Sequence, residues 1–221
     1  MSDSADWSPR GSIAAVVTTL VAYNAVVNEA LPAAWHGVAA ALTALLLWWI
    51  ARRAGLDGEA IGLSRDRVRS GLLWGAAASA AVVAGIAILA AFPATRSNFE
   101  DASIGAMEPS SLVWETVVRI PTVTAGFEEF AFRGVLFGVL VLAMSLRWAV
   151  VVQAVLFGLW HVLPTQGPGS SWGEVAVAVG FTAIAGVVFA VLRQRSQSLL
   201  APWLLHTATN SVTMLAAWLV T

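Results

Sequence analysis

The chain has 221 residues, of which 58% are hydrophobic and only 11% are charged. Soluble domains are about half apolar and about one quarter charged, so this composition excludes an ordinary soluble domain and predicts a polytopic membrane protein. The formal net charge is −1 and the chain has no cysteine. The charge gives no indication of nucleic-acid binding, and the lack of cysteine excludes a disulfide framework, a thiolate metal site and a cysteine nucleophile.

Seven apolar segments approach the roughly 20 residues that a helix needs to cross a bilayer. We therefore predict an all-α, polytopic transmembrane bundle of about seven helices, forming one integral-membrane domain over residues 1–221 with a short polar tail at 1–10. The segments are 12–31, 36–51, 69–92, 112–143, 148–163, 173–192 and 199–220.

The fourth segment is too long for one straight crossing. Pro121 followed by Gly126 predicts a break, because proline interrupts helical hydrogen bonding. We expect a leading part at 112–124, interfacial or partly inserted, and a second helix at 127–143. If the leading part crosses the bilayer by itself, the number of crossings becomes eight.

The arginines predict the orientation of the helices. The loop 52–70 holds five of the chain's 12 basic residues, all of them arginine, and such loops lie on the cytoplasmic side. With seven crossings, Arg147, Arg193 and Arg195 fall on that side too. We therefore predict a multi-pass protein of the cell membrane with its N-terminus in the cytoplasm.

Two adjacent carboxylates lie within the apolar fourth segment. Charged side chains inside a bilayer are costly and mark functional sites, and here Glu128 and Glu129 are followed by Arg133. On a helix Glu129 and Arg133 are i,i+4 neighbours, so we expect an ion pair between them. Glu128 lies about 100° around the helix and is the carboxylate left for chemistry.

Two of the three histidines lie in later apolar segments. Phe157 and His161 share a face of the fifth helix, and His206 and Asn210 are one turn apart on the seventh. Glu128, His161 and His206 lie roughly 16 to 22 Å from the predicted inner face, so they can meet near the middle of the membrane.

These residue types suit the hydrolysis of a peptide bond. A carboxylate can take a proton from water, a neighbouring histidine can share that water, and a second histidine with an asparagine can stabilise an oxyanion. Glutamate with two histidines is also the ligand set of a catalytic zinc ion. The spacing leaves both chemistries open.

The three motifs in this order resemble the CPBP (CAAX protease and bacteriocin-processing, or Abi) family of intramembrane proteases. They read Glu128-Glu129-x-x-x-Arg133, Phe157-x-x-x-His161 and His206-x-x-x-Asn210, and the resemblance covers about residues 112–215, the expected catalytic core. It implies that the protein cleaves a membrane-associated peptide or protein. Bacterial members, which the arginine-only, compact chain resembles, are linked to peptide processing, bacteriocin self-immunity and membrane-protein maturation.

The same resemblance implies roles for individual residues. Glu128 and His161 would activate the attacking water, while His206 and Asn210 would stabilise the oxyanion. Members have been described both as metal-independent glutamate proteases and as metalloproteases. The metal-free form is the one favoured here, and a bound Zn²⁺ would be held by Glu128, His161 and His206. The site-organising residues would be Glu129, Arg133 and Phe157.

Two other functions remain open at this stage. A non-catalytic binding or immunity protein could retain the motifs, and buried Glu and His also form the proton relays of transporters. Polar residues cluster at one depth, which disfavours transport. Residues outside the motifs are interpreted as structural, including Asn24 and Asn28 as interfacial residues and Glu115 with Arg119 as an ion pair.

Overall fold

The structure is a computed structural model that describes residues 7–167 and 169–221. Residues 1–6 of the predicted polar tail lie outside the described residues. Throughout the described part the ordered elements are helical, and none is a strand. The long helices are α1 (Pro9–Glu29), α2 (His36–Arg53), α3 (Val68–Ala91), α4 (109–143), α5 (Leu146–Trp160), α6 (Trp172–Ser196) and α7 (Leu200–Val220).

Among residues 7–167 and 169–221, five helices are long and apolar enough to span a membrane, which confirms the polytopic helical bundle. They are Pro9–Glu29, Ala33–Arg53, Arg65–Ala91, Leu146–Thr165 and Trp172–Ser196. The other two predicted membrane segments are also helical, and they are the ones that carry the Glu-Glu motif and the His206 motif.

Local sequence signals define several helix ends. Ser8 caps α1, its Oγ accepting from the amide of Gly11 at 3.1 Å, and Pro9 occupies the first helical position where its missing N–H costs nothing. Pro9 and Arg10 of the predicted polar tail thus form the first residues of α1. Ser171 and Glu174 form a capping box at the start of α6, which satisfies exposed amides of the first turn.

Helix α4 is continuous, so the predicted break at Pro121 is wrong. Its ends are α-helical, but Trp114–Gly126 and Glu129–Leu136 adopt the wider π-helical winding. The wider turns keep the chain helical past Pro121, and the Pro121 carbonyl accepts a hydrogen bond from Trp203 Nε1 of α7 at 2.7 Å. A Cβ on Gly126 would lie 2.7 Å from the same carbonyl oxygen, so this turn requires glycine.

The connection between α2 and α3 packs against the corner between α6 and α7. Arg193 Nη2 donates to the Ala60 carbonyl at 3.0 Å, and the Leu199 amide donates to the Gly62 carbonyl at 2.9 Å. Arg193 and the arginine-rich loop therefore lie at the same end of the bundle, as the sequence predicted. The side of the membrane on which this end lies stays a prediction.

Candidate active site

The core of the site is a fully buried ion pair. Arg133 Nη1 lies 3.0 Å from Glu129 Oε1, with side-chain exposures of 0% and 1%, which confirms the predicted pair within α4. The Arg133 guanidinium also lies 3.9 Å from the ring centre of Phe157 and 4.9 Å from that of Phe189. Cation–π contacts of this kind stabilise a desolvated cation. Phe157 thus covers Arg133, and its role in organising a catalytic site stays a prediction.

His206 joins α7 to this pair. Its Nδ1 lies 2.8 Å from Glu129 Oε1, and an ionised carboxylate can only accept hydrogen bonds, so Nδ1 carries the proton. The Phe189 ring stacks on the imidazole with centroids 5.0 Å apart. This arrangement directs Nε2 of His206 towards Glu128, whose Oε2 lies 3.9 Å away.

Glu128 is held at one oxygen and unpartnered at the other. Its side chain is buried, and Oε1 accepts a hydrogen bond from the indole Nε1 of Trp160 at 3.3 Å. Oε2 is a buried atom with no hydrogen-bond partner in the described part of the protein. The unpartnered oxygen and His206 Nε2 face the same space, and their 3.9 Å separation is too long for a direct hydrogen bond.

The other two predicted catalytic residues are less closely placed. His161 ends α5, and its Nδ1 donates to the Phe157 carbonyl at 2.8 Å, which leaves Nε2 as an acceptor. Its ring packs on Phe157 with centroids 4.8 Å apart. Within the described residues, neither His161 nor Asn210 has a hydrogen bond or ion pair to Glu128. Asn210 is one turn from His206 on α7 and is partly buried.

The predicted zinc ligands do not converge in this arrangement. Within residues 7–167 and 169–221, no three His, Asp or Glu side chains are placed so that they could hold a metal ion. Nδ1 of each histidine is hydrogen-bonded, to a backbone carbonyl in one case and to Glu129 in the other, so that Nε2 is the ring nitrogen available to a metal ion in each case.

Helix α1 contributes residues whose role beside Glu128 was not predicted from the sequence. Asn24 Nδ2 donates to the Trp160 carbonyl at 3.0 Å, and the Tyr23 ring stacks on the Trp160 indole at 5.8 Å. Asn28 donates in turn to Asn24 Oδ1 at 2.7 Å. The interpretation of Asn24 as an interfacial residue is wrong, since it is buried and fixes the tryptophan that binds Glu128. The sequence feature that could have indicated this buried role is the asparagine pair at i,i+4, Asn24 and Asn28, inside an otherwise apolar helix.

A polar cavity of about 200 Å³ lies beside Glu128. It is formed where α1 ends and α2 begins, at the end of the bundle opposite to the arginine-rich loop 52–70. Its polar lining side chains are Tyr23, Asn24, Asn28, His36, Arg119, Thr124 and Glu128. The cavity gives the unpartnered carboxylate a neighbouring space in which a polar group can bind.

The fold and site together define a multi-pass membrane protein with a buried Glu-Glu-Arg-His cluster. Residues 109–212, which contain all three motifs, match the family model described as "Type II CAAX prenyl endopeptidase Rce1-like". This match confirms the resemblance to the CAAX-protease type of membrane endopeptidase, and the segment that carries the motifs is Rce1-like. Comparison with curated proteins and with solved structures gave no match.

Proposed function

We propose that this protein is an intramembrane endopeptidase that hydrolyses a peptide bond of a membrane-associated peptide or protein, using a water molecule activated by Glu128. The Rce1-like segment supports the class of activity. The observation that carries the assignment to Glu128 is its buried, unpartnered Oε2, which lies 3.9 Å from His206 Nε2.

In the proposed reaction, Glu128 acts first as a base and then as an acid. Water gives one proton to Glu128 Oε2 while its oxygen attacks the carbonyl carbon of the scissile bond. The resulting tetrahedral intermediate collapses as its C–N bond breaks, and the proton passes from Glu128 to the leaving amine. Trp160 holds Oε1 during both steps, so that Oε2 remains the reactive oxygen.

His206 is proposed to stabilise the oxyanion. Since its Nδ1–H is directed to Glu129, Nε2 is the ring nitrogen that faces the space beside Glu128, where an N–H would donate to the oxyanion. Asn210 would complete the oxyanion site, and His161 Nε2 would share the attacking water. Both residues would have to move closer when substrate binds, as catalytic contacts often tighten on binding.

The version of the mechanism that we propose needs no metal. A zinc requirement would place Glu128, His161 and His206 around the ion instead, which needs a different packing of the end of α5. Chelation separates the two mechanisms directly.

The test compares purified wild-type protein with Glu128→Gln on a library of membrane-anchored peptides, prenylated and unprenylated, with product masses as the readout. Glu59→Gln is the matched control, because Glu59 is an exposed carboxylate in the loop 52–70. We expect cleavage by wild type and by the control, a loss of at least about a thousandfold in Glu128→Gln, and no effect of a strong chelator.

Other outcomes lead to different conclusions. Cleavage that survives Glu128→Gln would exclude Glu128 as the base, and cleavage lost with chelator and restored by Zn²⁺ would establish a metalloprotease. Binding of library peptides without cleavage by the wild-type protein would favour the non-catalytic binding function.

A further inference from the structure

A second cavity, of about 310 Å³, lies at the arginine-rich end of the bundle and shares no lining residue with the polar cavity beside Glu128. It is formed where the connection between α2 and α3 meets α4 and the corner between α6 and α7. Its apolar lining includes Leu63, Val68, Phe130, Leu200 and Trp203. Leu63 and Val68 are 52% and 40% exposed, so the cavity opens at the surface of the bundle. Its size lies at the lower end of the range for ligand sites, and its apolar wall suits a hydrocarbon chain.

Three arginines lie at the rim of this cavity. Arg65 and Arg67 lie between two lining residues, Ser64 and Val68, and Arg69 follows the second of them. All three arginines are exposed. In the described part of the protein, none of the three has an ion pair. Their guanidinium groups are therefore available to an anion that enters the mouth of the cavity.

The acidic residues near the cavity leave this positive charge in excess. Asp66 lies among the three arginines, and the other acidic residues of the loop 52–70 do not line the cavity. Glu129 is in the lining, but its charge is paired with that of Arg133. The rim thus carries three cations against one unpaired carboxylate.

Two long helices begin in the wall of the cavity. Helix α3 starts at Val68 and helix α7 starts at Leu200, and both residues line it. Neither helix has an acidic residue in its first turn. The N-terminus of a helix carries a partial positive charge, and its free amides bind phosphate groups. The two helix ends therefore add to the attraction that the arginines exert on an anion.

We propose that this cavity and its arginine rim form a binding site for an anionic phospholipid of the surrounding membrane. One acyl chain occupies the apolar cavity, and the phosphate contacts Arg65, Arg67 and the first turns of α3 and α7. A phospholipid matches both parts of the site, because it joins a hydrocarbon chain to an anionic headgroup, and arginines at the ends of membrane helices attract such headgroups. The site makes no use of Glu128, so the proposal is independent of the proposed hydrolysis.

The test compares two lipids that have the same acyl chains and differ in headgroup charge, dioleoylphosphatidylglycerol and dioleoylphosphatidylcholine. Each carries a fluorophore on one acyl chain, and their dissociation constants are measured with the delipidated full-length protein in a nonionic detergent. One arginine near the headgroup strengthens the binding of an anionic lipid about fivefold. With Arg65 and Arg67 both in contact, we expect phosphatidylglycerol to bind about 25 times more tightly than phosphatidylcholine.

A double substitution assigns this preference to the rim. Arg65→Gln with Arg67→Gln should lower it to within about threefold, while the affinity for phosphatidylcholine changes by less than about twofold. The matched control is Arg10→Gln with Arg147→Gln, which removes the same charge from two exposed arginines outside the cavity. This control should leave the preference unchanged.

Further variants separate the roles of the headgroup and the acyl chain. Asp66→Asn removes the carboxylate among the arginines and should tighten the binding of phosphatidylglycerol about fivefold, a gain that a structural defect would not produce. Val68→Trp fills the mouth of the cavity and should weaken the binding of both lipids at least about tenfold, since the acyl chain loses its apolar contacts. Val83→Trp is its control, because Val83 is similarly exposed on α3, at 36%, and lies outside the cavity.

Several results would overturn the proposal. Equal binding of the two lipids by the unmodified protein, or binding of neither, excludes an anionic-lipid site. An equal loss of preference in the Arg10 and Arg147 control would show a response to overall charge. Unchanged binding by Val68→Trp would place the acyl chain elsewhere, and displacement of the lipid by soluble glycerol phosphate would identify a site for the phosphate alone. A lipid preference in a protein that cleaves no peptide would uphold the lipid site and contradict only the proposed hydrolysis.

Discussion

At the scale of single residues, the site consists of four charged or chargeable side chains that are buried together in the bundle. They are Glu128, Glu129, Arg133 and His206. Arg133 offsets one of the two carboxylates, and the aromatic rings of Phe157 and Phe189 cover the guanidinium. Glu129 binds both Arg133 and His206 through the same oxygen, Oε1. Glu129 therefore positions the histidine, while Oε2 of Glu128 has no hydrogen-bond partner among the described residues.

The hydrogen bond from Trp160 to Glu128 is predicted to orient the reactive carboxylate. Trp160→Phe keeps an aromatic ring against Tyr23 and Phe132 but removes the indole donor. We expect kcat to fall about tenfold with KM within about twofold, because substrate contacts remain.

The matched control for this prediction is Trp218→Phe. Trp218 Nε1 also donates a hydrogen bond, at 3.1 Å, but to the carbonyl of Met107 at a distance from the site. Steady-state kinetics of both variants on the same cleaved peptide is the measurement. An equal loss in the two variants, or a change confined to KM, would contradict a positioning role for Trp160.

The buried pair is predicted to behave as a unit in stability measurements. Arg133→Met leaves Glu129 as an uncompensated buried charge, which we expect to cost about 3 to 5 kcal/mol of the free energy of unfolding. The double substitution Glu129→Gln with Arg133→Met removes both charges and should recover most of that loss without restoring activity. Thermal unfolding in detergent measures both, and additive losses in the double variant would contradict the pairing.

At the scale of elements, the π-helical winding of α4 is what brings the motif into place. The wider turns carry the helix past Pro121, and Trp203 of α7 binds the Pro121 carbonyl. Helix α1 adds the second element of support, through Asn24 and Trp160. Contacts from α1, α5 and α7 thus support the position of Glu128 on α4.

Gly126 is predicted to be essential for this winding. Gly126→Ala would place a Cβ 2.7 Å from the Pro121 oxygen, so we expect about 1 to 3 kcal/mol of destabilisation and lower activity. Gly85→Ala is the control, because no heavy atom lies within 4 Å of its added Cβ. There the better helix propensity of alanine should leave stability equal or higher. Equal thermal stability of the two variants would show that the tight turn does not constrain α4.

At the scale of the whole molecule, the bundle has two distinct ends. The arginine-rich loop 52–70 and Arg193 lie at one end, and the polar cavity beside Glu128 opens at the other. The apolar surface between them is formed by side chains such as Val177 and Ile184, 72% and 69% exposed. Contact with lipid tails would cover these outward-facing apolar side chains, which accounts for the large apolar surface of the bundle.

The orientation of these ends in the membrane is predicted to place the cavity on the outer side. Since the chain has no cysteine, a single introduced cysteine can be labelled without background from other cysteines of the protein. Gln166→Cys, after α5, should react with a membrane-impermeant maleimide on intact cells, whereas Asp66→Cys should react only after permeabilisation. Both positions are exposed. The reverse pattern would place the N-terminus and the arginine loop outside.

The sequence by itself determined the all-helical membrane bundle, the segments that become helices, and the Glu129–Arg133 pair. These follow from signals carried by neighbouring residues: apolar length, and the i,i+4 spacing that places two side chains on one face. The three motifs also indicated the family type, because their residue types and order are local properties of the chain.

Only the tertiary structure decided which groups meet. Nothing in the local sequence couples Asn24 to Trp160, Trp203 to Pro121 or Phe189 to Arg133, because these contacts depend on how α1, α6 and α7 pack against α4 and α5. The prediction of a break at Pro121 was wrong for the same reason. Helix propensity describes an isolated helix, whereas packing against α7 stabilises the wider winding. The buried position of Asn24 and the place of Arg119 beside Glu128 likewise required the assembled bundle.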